Sequence, residues 1–523
     1  MPHLFAADRI YTLDHPNEFY KAMIVNDGKI QNLLGENEFE QEKANPVYEK
    51  IHEFSGYIFP GFIDSHIHAI SYGKYLDYVD LRSVQSIEEL IHKISLKAKN
   101  TPEGEWIYGF GWNQVKFTEQ RLPNKQDLDR ISMNHPIILK RVCTHILVAN
   151  SVVLGKADIN EQTPEPPGGI IDRDKLGRPT GILRETAIDL LDPIIPQSIE
   201  HDIIRWLQTA QSQLNSFGIT SIHTLDEYCY PVYRSLKDQL TVRVYFCPKY
   251  KNLSKIYEME ESAKTGVGDD FLRLGRVKLF ADGSLGAQTA ALKEPYENTE
   301  NYGIPTHSLD ELMGLIKNAD EMGWQIETHA IGDKAAELTL NCYEKIYHSN
   351  YRPVLTHCQI LAADLIQRMA DLEVIASIQP IFIEQDMDFV EDFVGKKRMG
   401  YAYAWKSLLD GRVHCSGGSD CPVDSPNPLF GIHCAVTRMK LEGIPSHGWI
   451  PAQKITVWDA FRLFTIDAAY AEYQEHQKGL LKLNYLADFV LLDKNPFQIP
   501  EDEIQSIRVL KTFLAGKEVY SRE

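Results

Sequence analysis

Eight short runs rich in β-branched and aromatic residues, separated by polar loops and helical stretches, limit most strongly what this chain can fold into. They cover residues 62–68, 218–223, 242–246, 275–280, 325–329, 353–357, 374–378 and 412–416. Each is too short for an ordinary helix and is built from strand-forming residues. Helical periodicity falls between several of them, as at 309–322 before the fifth and 361–371 before the seventh. Eight strands alternating with helices predict an α/β fold, a (β/α)8 TIM-like barrel whose active-site groups gather at the C-terminal strand ends.

At 523 residues the chain is longer than such a barrel needs, and the surplus has two places to go. The runs 4–7 and 22–25, with the turn Asn26-Asp27-Gly28-Lys29, read as a short meander, and so do 487–492, 507–513 and 518–520 with the turn Ala515-Gly516-Lys517. Neither end has enough strands for a core of its own. They are expected to pair into one small β-sandwich domain built from both termini, 1–58 and 479–523, around a barrel at 59–478. The stretch at about 72–196 carries more β-like sequence than one connection requires, together with the Pro/Gly-rich loop 164–169. It is therefore expected to be a long insertion after strand 1.

Charge and cysteine usage exclude several classes of function. Lys and Arg number 54 against 73 Asp and Glu, a net charge of −19, which argues against nucleic acid or an anionic membrane as a partner. The start lacks a basic segment followed by an apolar one, and no run reaches membrane-spanning length, so the cytoplasm is the expected location. The eight cysteines are scattered without a Cys-x-x-Cys, as reduced core residues would be. Cys358, Cys415 and Cys421 lie beside strand-end motifs, where an open site would expose them to oxidation. Gly283-Ser284-Leu285-Gly286 follows a strand but lacks the spacing of a phosphate cradle.

The chemistry sits at the strand ends. On a strand, residues i and i+2 point the same way, so His66 and His68 project from one face, either as a metal-ligand pair or as hydrogen-bonded core histidines. The fourth strand carries Lys278, the fifth ends in His329, the sixth in His357, and the eighth runs into Gly417-Gly418-Ser419-Asp420. A barrel converges these positions, and two to four histidines with a carboxylate suit zinc or a similar divalent ion.

Taken in order, the motifs GFIDSHIH (61–68), FGWNQ (110–114), PGGIIDRDKLGRPTGIL (167–183), VKLFADGSLG (277–286), ETHAIGD (327–333), LTHCQI (355–360), GGSDCPV (417–423) and ADFVLLD (487–493) resemble the amidohydrolase superfamily. They are most like its YtcJ-like branch, which includes N-substituted formamide deformylases. The resemblance implies that His66, His68 and Asp420 hold one metal, and that His329 and His357 hold a second or assist the first. It also implies a carboxylated Lys278 between two ions, although a lysine within a strand could equally pair with Asp282 or Glu327. The implied activity is hydrolysis of a non-peptide amide or N-formyl C–N bond in a small molecule. Asp420 would act first as base and then as acid, and His329 or His357 would brace the oxyanion. Cyclic-amide opening and deamination on the same scaffold are the enzymatic alternatives, and a catalytically silent regulatory or scaffold relative is the other. Trp112 and His145 in the insertion are candidate substrate contacts, with ordinary packing as their alternative, and Asp282 after the fourth strand is read either as a substrate contact or as a residue that supports the site from behind. His223 is read as structural. A homodimer would suit a barrel of this size.

Overall fold

The computed structural model describes residues 2–45, 47–142, 146–166, 168–196, 200–346 and 352–523. The chain forms two compact units, one from Met1–Ile70 with Gln208–Glu523, the other from Ser71–Leu207.

The first unit opens with strands β1 (His3–Tyr11), β2 (Phe19–Asn26), β3 (Lys29–Leu34), β4 (Lys50–Glu53), β5 (Tyr57–Pro60) and β6 (Phe62–Ile67). Between β2 and β3, Asp27 and Gly28 both take positive φ, 50° and 75°, as a tight hairpin turn demands. All six residues of β6 are buried, and this strand carries the first histidine of the candidate site.

The second unit holds β7 (Val79–Asp80), β8 (Ile107–Trp112), β9 (Ile137–Arg141), β10 (Ile146–Ala149), β11 (Gly169–Arg173) and β12 (Pro179–Glu185). They form a six-stranded sheet in the order β11-β12-β10-β9-β8-β7, with Trp112, Leu90, Ile94, Leu128 and Leu139 among its core residues.

The first unit resumes with β13 (Ile219–Thr224), β14 (Arg243–Phe246), β15 (Leu272–Leu274), β16 (Val277–Phe280), β17 (Ile326–Ala330), β18 (Val354–His357), β19 (Ile375–Ile378) and β20 (Cys415–Gly417). Strands occur at all eight expected places, and every pairing among them is parallel. They do not close into one continuous ladder. β6, β13, β14 and the extra strand β15 form one sheet, and β16 to β20 form another. Between β14 and β16 the link is an isolated bridge, Lys249 to Lys278, because β15 takes the open edge of β14. β20 is only three residues long. It meets β6 through the Ser65–Ser416 hydroxyls, 3.1 Å apart, and through the Asp420 amide, which donates to the His66 carbonyl at 2.7 Å.

The chain ends with β21 (Phe489–Leu492), β22 (Val509–Leu514) and β23 (Lys517–Ser521). Strands from both ends of the chain join into one hydrogen-bonded path of eight strands, β23-β22-β21-β5-β1-β2-β3 with β4 also on β1. The long β1 allows this. Its register shifts between Ala6 and Ile10, so β4 pairs with its first half and β5 with its second. Phe5, Phe489 and Phe513 pack together beneath the sheet, the last two stacked at 4.4 Å between centroids. A buried ion pair ties β14 to this sheet: Arg243 donates to both oxygens of Asp488 at 2.6 and 2.9 Å.

His223 of β13 is fully buried with the Arg276 guanidinium 3.1 Å from Nδ1 and Glu472 3.2 Å from Nε2, the structural place expected for it. Burial lowers its pKa from 6.5 to about 4, Glu472 opposing the shift. Between those values the unfolded chain binds the proton that the folded one excludes, so stability is full above pH 6.5 and falls as pH drops towards 4. The urea midpoint is expected to decline over that window in the wild type. In His223→Gln the decline should be clearly shallower; an identical pH profile would refute the assignment.

Candidate metal centre

At the C-terminal ends of β6, β18 and β20, donor atoms of His66, His357 and Asp420 all lie within 4.8 Å of one another. His68 joins them: Asp420 Oδ1 is 3.3 Å from His66 Nε2 and 3.2 Å from His68 Nε2. Ligand atoms about 2.0–2.1 Å from a tetrahedral zinc stand about 3.3 Å apart, so these separations are those of a ligand set.

The hydrogen bonds on the far side of each ring show what the near side offers. His68 Nδ1 lies 3.1 Å from the Leu225 carbonyl, and His357 Nδ1 lies 2.8 Å from Gln379 Oε1. Each Nδ1 therefore carries the proton, which leaves a lone pair on Nε2. His66 Nδ1 is 2.9 Å from Glu327 Oε1, though at an angle too poor for a hydrogen bond. Imidazole lone pairs aimed at a carboxylate oxygen call for a cation between them. Burial pulls the pKa of His68 down, but Asp420 lifts it above the usual histidine value. Burial would likewise raise Asp420, yet His66 and His68 hold it well below the ordinary carboxylate range. His357 is kept neutral by burial and by its neighbour His329, the state a ligand needs.

Backbone conformation aims these groups. His357, Cys358 and Asp420 have φ of 80°, 51° and 54°, left-handed values that are uncommon for residues other than glycine. Gly418 lets the loop after β20 lie against β6. A Cβ there would stand 2.6 Å from the His66 nitrogen.

Around the donors lies a buried polar layer. Glu327, with no exposed surface, accepts from Arg276 at 2.5 Å, from Lys278 at 2.7 Å and from the Thr356 hydroxyl at 2.7 Å. Burial opposes its ionisation, but Lys278 and Arg276 hold its pKa well below the usual value. Lys278 is thus paired with Glu327, the partner left open by the sequence, and burial keeps its amine below the ordinary lysine range. Asp64, also buried, accepts from the Ser419 amide at 3.0 Å, the Ser419 hydroxyl at 2.6 Å and the His66 amide at 3.1 Å. It clamps the loop bearing Asp420 to the strand bearing His66. Sequence reasoning missed Asp64, although a carboxylate two residues before His66 in an apolar run was a readable signal.

Other expected site residues fall elsewhere. His329 is close, its ring 4.5 Å from that of His357, but its Nε2 faces the Gly283 carbonyl at 3.0 Å and Asp282 at 3.3 Å. Asp282 is no substrate contact. Its oxygens accept from the amides of Ala291, Ile331 and Gly332, and with 2% exposure it braces the loops around His329. Trp112 is also corrected: it has no exposed surface, packs in the core of the second unit and donates its indole N–H to the Leu139 carbonyl at 3.0 Å. His145 lies outside the described residues. Cys358, Cys415 and Cys421 are buried, and burial raises the first two thiols, so the expected exposure to oxidation is absent.

The sequence profile of the amidohydrolase family matches residues 56–520. The chain belongs to the amidohydrolase family. It is 32% identical to the putative amidohydrolase YtcJ of Bacillus subtilis over 98% of both chains. It is 26% identical to the N-substituted formamide deformylase of Arthrobacter pascens over 98% of this chain and 97% of that one. A crystal structure of a metal-dependent hydrolase from Pyrococcus horikoshii superposes with a TM-score of 0.80 at 26% identity, covering 96% of this chain and 99% of that one. For this amidohydrolase the TIM-barrel-like fold and metal-dependent hydrolase chemistry follow, and the His66, His357 and Asp420 cluster supplies the matching donor set.

Asp64→Ala removes the clamp on Ser419 and is expected to weaken metal binding about 10–100-fold, as loss of an orienting carboxylate does. Competition with a chromogenic chelator measures it; unchanged affinity in a folded variant would contradict the role given to Asp64.

Proposed function

We propose that this amidohydrolase cleaves a non-peptide amide or N-formyl C–N bond in a small molecule. The supporting observation is the convergence of the His66 and His68 Nε2 atoms on the carboxylate of Asp420. The formamide-cleaving relative from Arthrobacter pascens supports the choice of bond. Zinc suits the nitrogen and oxygen donors. His66, His68 and Asp420 would hold the ion, with His357 beside them.

A divalent ion held there lowers the pKa of water from about 15.7 towards about 7 and polarises a carbonyl. Asp420, ionised at neutral pH, takes the proton from the attacking water. It then passes that proton to the departing nitrogen, which cannot leave as its anion. His329 has Nε2 turned to the Gly283 carbonyl and Asp282, both acceptors, so its proton sits there and Nδ1 is left with a lone pair suited to a metal ion. Gln379 fixes the ring of His357, and the Leu225 carbonyl fixes that of His68. Lys278 retains the bridging role in this reading. Its amine is now ion-paired with Glu327, and it would serve as a metal ligand only once carboxylated and released from that pair.

Chelator-treated protein is expected to lose hydrolysis of N-formyl and N-acyl amines and to regain it with zinc. Asp420→Asn should lower kcat about 10²–10⁴-fold, the usual contribution of a general base, even when metal is supplied. Elemental analysis of Lys278→Ala separates its two roles: two ions falling to one marks the bridge, and an unchanged single ion marks the Glu327 pair alone. Wild type without metal under every loading condition would overturn the proposal.

A further inference from the structure

His66 and His68 are held in different ways. His66 stands within β6, whereas His68 follows the last residue of that strand, Ile67. The ladder slips just before it ends: Ile222 of β13 pairs with Asp64 and Thr224 with Ile67, so three steps along β6 match two along β13. A bulge of this kind re-aims side chains and ends regular pairing. The ring of His68 is turned 86° from that of His66, and its side chain is 28% exposed against 2%. The sheet does not by itself fix His68.

Three consecutive residues past the strand are bound instead to the segment Thr224-Leu225-Asp226 at the end of β13. His68 Nδ1 donates to the Leu225 carbonyl at 3.1 Å, and the Ala69 amide donates to Thr224 Oγ1 at 3.1 Å. The Ile70 amide lies 3.1 and 3.2 Å from the two oxygens of Asp226. A further bond, from the His68 amide to the Cys421 carbonyl at 2.8 Å, ties the same residue to the loop after Asp420. Beyond Ile70 the chain passes into the second unit, so the hold of the first unit on His68 is concentrated at these contacts.

Asp226 closes that segment on itself. All three of its residues are buried. Asp226 Oδ2 accepts from the Thr224 hydroxyl and from the Tyr233 hydroxyl, both at 2.6 Å, the second reaching in from the helix Tyr230–Ser235. An ionised carboxylate only accepts, so the single Thr224 hydroxyl proton points at Asp226 and a lone pair of that oxygen is left for the Ala69 amide. One side chain thus sets the direction of the Thr224 hydroxyl, holds the Ile70 amide and fixes the Leu225 carbonyl that stands between them in sequence.

We propose that Asp226 is a positioning residue for the metal centre, acting through the Leu225 carbonyl and the Ala69 and Ile70 amides to hold His68 where β6 no longer does. This rests on the ligand role proposed for His68. Asp226 does for His68 what Asp64 and Glu327 do for His66: it touches no donor atom of the centre, yet it fixes the frame from which one is aimed. With that frame loosened, the His68 ring turns and its Nε2 leaves the point it shares with His66 Nε2 and Asp420 Oδ1.

A double-mutant cycle on zinc affinity tests this, with the full-length wild type, Asp226→Asn, His68→Ala and the double variant each titrated against a competing chelator. Asparagine keeps the shape of the carboxyl but puts an NH2 group where only N–H and O–H donors face it. Asp226→Asn is expected to weaken zinc binding about 10–100-fold, as loss of an orienting partner does. In the His68→Ala background the same change should cost about two-fold or less, because the residue it acts through is gone. Cobalt-loaded protein gives a second readout, since its visible bands follow ligand number and geometry. The bands of Asp226→Asn should move towards those of His68→Ala. Should Asp226→Asn fail to fold, Tyr233→Phe removes one donor to the same carboxylate, with a loss of about two- to ten-fold expected when His68 is present and none without it. Unchanged affinity, or equal losses in both backgrounds, would overturn the positioning role and leave His68 a ligand. Zinc binding by His68→Ala as tight as in the wild type would overturn the ligand role itself, and the inference with it.

Discussion

A carboxylate shut away from water is affordable only when cations and donors surround it, and Glu327 meets that condition at the heart of the first unit. Arg276 and Lys278 reach it from the β15–β16 region, Thr356 from β18, and His66 of β6 lies against it, while Glu327 itself sits on β17. Arg276 also donates to the Ser65 carbonyl at 2.7 Å, which draws β6 to the same point. Two sheets that share no continuous ladder are thus joined through side chains. The orientation of His66, and with it the geometry around Asp420, depends on this knot of charge.

The second support is the seam between β6 and β20. Backbone contact there is sparse, so side chains and a missing side chain do the joining: Asp64 holds Ser419, the Ser65 and Ser416 hydroxyls meet, and Gly418 leaves room for the His66 backbone. A loop bound this closely can present Asp420 from a left-handed conformation without relaxing away from it. The functional side chains are therefore carried on strand ends and held by buried polar contacts.

The strand places were legible because each run is short, apolar and bounded by polar loops, and Leu309–Glu321 was legible from its helical period. The gathering of His66, His68, His357 and Asp420 followed from the rule that parallel α/β folds converge their C-terminal strand ends. What could not be read was pairing. Nothing in local pattern says that β15 would occupy the edge of β14, or that β1 would shift register and so merge the terminal strands into one sheet. Trp112 misled for a related reason. An aromatic in a Gly-rich motif reads the same whether it lines a pocket or fills a core, and only its contacts with Leu139 and Phe117 decide. Asp282 illustrates the same limit for acids, since its three backbone amides come from other loops and are invisible in sequence.

The terminal sheet bears on how the molecule comes into being. β21 lies between β5 and β22, with Phe489 opposite Pro60, so the sheet's two halves come from opposite ends of synthesis. Until the last strands emerge from the ribosome, β5 presents an open edge, the kind of surface that recruits wrong partners. The entropy of closing so long a loop rises only slowly with length, so joining the ends is thermodynamically modest. The exposure is one of time: assembly of the strand pairs around Glu327 can precede the sheet, but Arg243 must wait for Asp488 before its charge is answered.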